Sequence, residues 1–118
     1  MQVTKEQIKT LDRMWQEKVL NNSKHISLLG CTADVGHHWI SKGAGGFSLR
    51  WFIPNGIPLN HTQHDVIHNK GAEELKELIK NIKGKEWENI LAKQRMKCVK
   101  YIEYKEIVKH INGETSKY

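Results

Sequence analysis

Five histidines fall within one short stretch of this chain: His37, His38, His61, His64 and His68. Imidazole nitrogen is a borderline donor that suits zinc, nickel and similar divalent ions. His64 and His68 are four residues apart. On a helix that spacing puts both rings on one face, with Cβ atoms roughly 5–6 Å apart, so that one ion can bridge them. His37 and His38 precede them in a segment, HHWIS, that reads as a strand. Adjacent strand residues point to opposite faces. One of the two is therefore expected to ligate the ion, leaving the other free for different work. A neutral histidine beside a metal can act as general base, because its ordinary pKa of about 6.5 lies near working pH.

These residues need rigid elements to hold them. Residues 4–21 read as a helix, with Thr4 and Gln7 as a capping box and Ile8, Leu11, Trp15 and Val19 recurring at helical spacing. Residues 25–59 are punctuated by glycines and suggest a hairpin with a flexible connection. Within them 41–48, SKGAGGFS, reads as an irregular loop, and it lacks the spacing of a phosphate-binding P-loop. Residues 60–69 form a short helix, and 72–82 form another that stops at Gly84. From 85 to about 111 a third helical region follows, with a break near 96–101 and an end at Gly113. The last five residues are expected to fray. Trp39, Trp51, Phe52 and Trp87 are expected in the core. His61 is expected to face solvent at a helix start, and His25 and His110 to be ordinary surface residues.

Composition sets the class. The chain has 118 residues, 38% hydrophobic and 27% charged, which fits one globular domain with a modest core. Its apolar runs are too short for a membrane span, and MQVTKEQIKTLDR has no apolar signal region, so a cytoplasmic protein is expected. Two cysteines, Cys31 and Cys98, are too few for a disulfide framework and are expected as free thiols, with Cys98 acting as a small buried hydrophobe. The formal charge of +6 and a pI of about 9.4 are the electrostatic footprint of a nucleic-acid binder. The lysines of the C-terminal half alternate with glutamates, which points to one basic stripe and otherwise a solvated helix surface.

The order His37-His38, then Asn55, then His64-x3-His68 resembles the motif of the HNH (ββα-metal) endonucleases. The nine-residue step from Asn55 to His64 and the four-residue step to His68 are similar to those of colicin-type DNases. The words LRW, NGIPLN and IH resemble phage HNH proteins, including recombination-associated ones of the NinG type. The resemblance covers residues 31–68. It implies an α+β fold, in which a small ββα-metal core (25–69) is flanked by an N-terminal helix (4–21) and C-terminal helices (72–111), all in one domain. It implies His37, His64 and His68 as ligands of one divalent ion (Mg, Mn, Ni or Zn). His38 would be the general base, and Asn55 the residue that bonds across the loop to hold that base in place. The implied activity is hydrolysis of DNA phosphodiesters to 5′-phosphate and 3′-hydroxyl ends, in phage DNA recombination or processing. Arg50 is expected to grip a phosphate bidentately, with Lys42 as a second nucleic-acid contact. A homodimer or a partner protein is one route to double-strand cuts. The alternative is a binding module that keeps the fold without catalysis.

The phage proteins of this resemblance usually carry four cysteines, which hold a structural zinc. Here those positions are Cys31, Asp34, Asn60 and Gln63. One thiolate, one carboxylate and two amides make a poor zinc site. No structural zinc is expected, and hydrogen bonds or packing are expected to hold this knuckle instead.

Overall fold

Helix α1 (Lys5–Asn22) begins where its capping box dictates. Thr4 Oγ1 accepts from the Gln7 amide at 3.1 Å, while Gln7 Oε1 accepts from the Thr4 amide at 2.9 Å. Two otherwise orphaned donors of the first turn are thus satisfied reciprocally. The helix buries Leu11, Trp15 and Val19, the stripe its sequence spacing presents. The computed structural model describes residues 3–69, 72–97 and 103–118. Cys98 lies outside them.

The fold is α+β. Among the described residues six α-helices surround one two-stranded antiparallel sheet. Strands β1 (Val35–His38) and β2 (Gly56–Leu59) pair in the register Val35 to Leu59, Gly36 to Pro58, His37 to Ile57 and His38 to Gly56. Helix α3 (His61–Ile67) follows β2 directly. Then come α4 (Glu73–Lys83), α5 (Lys85–Arg95) and α6 (Tyr104–Ile111). Gly84, at φ 86°, ends α4 and starts α5. This is the left-handed conformation glycine adopts at little cost. The helical region expected over 85–111 is therefore two helices, α5 and α6. No described helix is long and apolar enough to cross a membrane.

Two sequence expectations are corrected here. The glycine-rich stretch 41–48 is not an irregular loop. Most of it belongs to helix α2 (Lys42–Arg50), which is kinked at Gly46 (φ 60°, ψ −159°). Ser41 caps this helix, its Oγ accepting from the Ala44 amide at 3.2 Å. At Gly45 a side chain would come within 2.9 Å of Leu49, so close packing, not looseness, accounts for that glycine. The chain's end does not fray either. Tyr118 is 3% exposed. Its hydroxyl donates to the Phe47 carbonyl at 2.6 Å and accepts from the Trp51 amide at 3.2 Å. Its own carbonyl accepts from Gln94 Nε2 at 2.9 Å. Buried polar contacts to α2, its C-terminal cap residue and α5 offset the chain entropy that favours fraying.

The apolar interior has two parts. One joins α1 and α6 around Trp15, Trp51, Ile107, Ile111 and Tyr118. The other packs the sheet and α3 against α4 and α5 through Ile57, Leu59, Ile67, Ile79, Trp87 and Leu91. Trp15 and Trp51 are essentially fully buried. Each removes roughly 150–250 Å² from water, about 4–6 kcal/mol before ordering costs. The sheet lies between the two parts, so residues alternating along β1 face different neighbours.

Candidate metal centre

His37 and His38 show that alternation. The His37 ring is 8% exposed and lies with its centroid 5.2 Å from the rings of both His64 and His68. His38 turns the other way and stacks on Trp15 of α1, with centroids 3.9 Å apart and planes inclined by 10°. Strand β1 thus supplies one ring to each side of itself, the geometry expected of consecutive strand residues.

Helix α3 supplies the other two rings. His64 lies in its last turn, and His68 is its C-terminal cap residue. Their Nε2 atoms are 3.0 Å apart. One nitrogen from each of His37, His64 and His68 lies within 4.8 Å of the other two. Tetrahedral ligands at about 2.0–2.1 Å from one ion would be roughly 3.3 Å apart, so small ring movements bring all three donors to a single ion. The protonation states also fit. Burial lowers the His37 pKa to about 4, and the nearby charges of His64, His68, His38 and Lys76 push it the same way. His64 is lowered as well, by burial and then by His68. Neutral imidazole is the ligand form. Three imidazole nitrogen donors, presented by β1 and by the end of α3, form a set that fits a divalent transition metal. His61 stays exposed, outside this set.

The cluster opens into a cleft of about 490 Å³ that also meets His38, with Gln16 of α1, Lys42 of α2 and Lys76 of α4 on its walls. Burial lowers the pKa of His38, partly offset by a hydrogen bond to the Arg50 carbonyl. That bond, from His38 Nε2 at 2.8 Å, fixes the tautomer, since a carbonyl can only accept. Nε2 carries the proton, and Nδ1 keeps the lone pair.

Asn55 is fully buried. Its Oδ1 accepts from the Ile40 amide at 2.9 Å, and its Nδ2 donates to the carbonyls of Ile40 and Leu49 at 3.0 and 3.2 Å. It ties the segment after β1 to the last turn of α2, which carries Arg50 and hence the carbonyl that holds His38. Arg50 itself departs from expectation. Its Nε and Nη2 bind the two carboxylate oxygens of Asp12 on α1 at 3.0 and 2.8 Å. The bidentate grip expected on a phosphate is taken by a carboxylate. Lys42, in contrast, is exposed at the cleft.

Each of the four knuckle positions makes hydrogen bonds, though only Asn60 and Gln63 bond one another. Asn60 and Gln63 form a reciprocal capping box at the start of α3, at 2.7 and 3.0 Å. Asp34 Oδ2 accepts from the His61 amide at 3.2 Å, and Ser27 Oγ accepts from the Cys31 amide at 3.1 Å. Hydrogen bonds thus orient the helix that carries His64 and His68.

Sequence reasoning missed three members of this neighbourhood. Trp15 reads as a core residue, Asp12 carries no signal of its own, and Lys76 is one lysine among many. Spacing within α1 or α4 carries no signal of contact with a segment so distant in the chain. His110 is also corrected. It is half-buried, accepts from the Ile53 amide through Nε2 at 3.0 Å and stacks on Phe52. Comparison of the chain with protein-family models, with curated proteins and with solved structures returns no match.

Proposed function

We propose that this protein is a single-metal DNA endonuclease of the HNH (ββα-metal) type. The observation that carries the reading is the convergence of His37, His64 and His68, with a neutral, tautomer-fixed fourth histidine on the next residue of the same strand. A pair of strands followed by a helix carries all four. A divalent ion held by the three imidazoles would supply Lewis acidity to a phosphodiester and stabilise the charge that develops on its oxygens. His38 takes a proton from the attacking water at Nδ1, the nitrogen its carbonyl contact leaves free. Asn55 holds the turn that fixes His38. Lys42 and Lys76 bring positive charge to the cleft walls, where a phosphate backbone would pass. The net charge of +6 favours the same polyanion.

The test is cleavage of supercoiled plasmid by metal-stripped protein with Mg²⁺, Mn²⁺, Ni²⁺ or Zn²⁺ returned singly. Nicking or linearisation that requires a metal is expected. His38→Ala should lower the rate by about 10²–10⁴-fold while leaving metal affinity intact. His64→Ala should lose both metal and cleavage. No cleavage by the wild type with any ion, while DNA is still bound, would replace this reading with that of a non-catalytic DNA-binding module.

A further inference from the structure

His38 is held by residues outside the strand-strand-helix unit that carries the metal ligands. Asp12 and Trp15 are three apart on α1 and therefore share a face. Trp15 covers the flat of the His38 ring, in near-parallel contact at 3.9 Å. It is itself immobilised, being 1% exposed with Nε1 donating to the Phe52 carbonyl at 3.2 Å. The sheet makes room for it. Gly56 is the residue paired with His38 across the strands. A Cβ there would run into Val19 Cγ2 and stand 2.9 Å from Trp15 Cζ2. At Gly36 a Cβ would be 3.3 Å from Trp15 Cζ3. The glycines of both strands thus let the indole lie against the hairpin beside His38.

Asp12 works on the edge of the ring through an intermediate. Its carboxylate binds Arg50 at both oxygens, and Oδ1 also accepts from Trp51 Nε1 at 2.8 Å. Burial alone would raise the Asp12 pKa, but the hydrogen bonds and charge of Arg50, with Trp51 and Lys42, leave it lowered and the carboxylate ionised. Three bonds therefore clamp the end of α2, and the Arg50 carbonyl at that end receives His38 Nε2. A stacked plane leaves a ring free to turn within that plane, whereas a single edge bond leaves it free to tilt. Applied together, the two restraints fix both movements.

We propose that Asp12 and Trp15 are positioning residues for His38, holding the imidazole in one orientation and one tautomer from outside the metal-binding unit. The proposal rests on the reading of His38 as general base. A misplacement of about 1 Å in a reacting group can cost on the order of 100-fold in rate. Asp12→Ala and Trp15→Leu should therefore lower kcat for plasmid cleavage by about 10- to 100-fold. KM and Co²⁺ affinity at the three-histidine site should stay within about twofold, because the ring contact and hydrogen bonds of both residues go to His38, Arg50, Trp51 and Phe52 and not to the three histidines. Trp15→Phe keeps an aromatic plane and should retain most of the rate, which guards against a Leu variant that fails to fold. The decisive comparison is in a His38→Ala background, where neither substitution should cost anything further. Equal losses in both backgrounds would mean a merely structural role and overturn the proposal. A second readout needs no activity. Long-range ¹H–¹⁵N spectra should show His38 as a single Nε2–H tautomer in the wild type and as a tautomer mixture in Asp12→Ala. An unchanged tautomer would also overturn the proposal. A wild type that does not cleave would sink the general-base reading, and the spectra would still decide whether α1 positions His38.

Discussion

At the scale of single residues, the basic groups around the cleft divide into those that face solvent and those already committed. Arg50 is committed to Asp12 and Lys42 is not. Their effects on DNA binding should differ accordingly. Lys42→Ala is expected to weaken binding and to reduce the slope of log affinity against log salt by about one. Arg50→Ala is expected to leave that slope unchanged while lowering stability and turnover. A fluorescence-anisotropy salt titration of both variants distinguishes them, and a reduced slope for Arg50→Ala would restore the phosphate grip its sequence context suggests. Asn55 is the other residue with a definite cost. Asn55→Ala strands the Ile40 amide and the carbonyls of Ile40 and Leu49 in the interior. Unpaired buried groups cost about 1–3 kcal/mol each. Urea unfolding should show a loss on the order of 3 kcal/mol, since some of these groups will find water.

At the scale of elements, the site is an agreement between a strand, two helices and a turn. β1 presents one histidine to α3 and the next to α1. The capping box of Asn60 and Gln63 sets where α3 begins, and with it the rotation that carries His64 and His68 towards His37. The contact of α1 with the hairpin depends on glycine. Gly56→Ala must push Val19 and Trp15 aside, and overpacking of this kind costs about 1–3 kcal/mol. The same displacement moves the plane that covers His38. Thermal unfolding should therefore show a lower midpoint, and cleavage should fall more steeply than metal affinity. A variant with wild-type activity and midpoint would show that the hairpin and α1 relax freely.

At the scale of the whole molecule, the C-terminal residue ties α2 and α5 to the α1–α6 part of the interior. Tyr118, Gln94, Ser48 and Trp51 are linked through hydrogen bonds, and His110 sits beside them, between Phe52 and Tyr118. Burial, helped by the charge of Lys97, lowers the His110 pKa to about 4. Its Nε2 must stay deprotonated to accept from the Ile53 amide. In the unfolded chain the same group titrates near 6.5. Between those values the unfolded state binds a proton that the folded state refuses, so stability is complete above about pH 6.5 and falls as pH drops towards 4. His110→Gln keeps an acceptor and removes the titration. In EDTA, the urea midpoint of the wild type should fall further from about pH 7 to about pH 5 than that of the variant. Parallel losses would assign the acid sensitivity to other groups.

What the sequence by itself determined was local. The 3.6-residue repeat and the Thr4–Gln7 pair define α1, His64 and His68 share a face because they are four apart, and His37 and His38 diverge because a strand alternates. Gly84 stops α4 because few other residues accept its φ. Each of these follows from the geometry of neighbouring residues along one chain. Tertiary structure decided the rest, because contacts between distant segments leave no mark on local spacing. Helix α2 forms in a glycine-rich stretch that propensity disfavours, where it packs on α5 and Gln94 donates to the Ser48 carbonyl. Tyr118 is buried because α2 and α5 offer it polar partners. Arg50 faces Asp12 instead of solvent, and Trp15 lies on His38 instead of merely filling the core. The histidine spacing made the cluster of His37, His64 and His68 legible in the sequence, but the packing of α1 against the hairpin determined what holds the fourth histidine beside it.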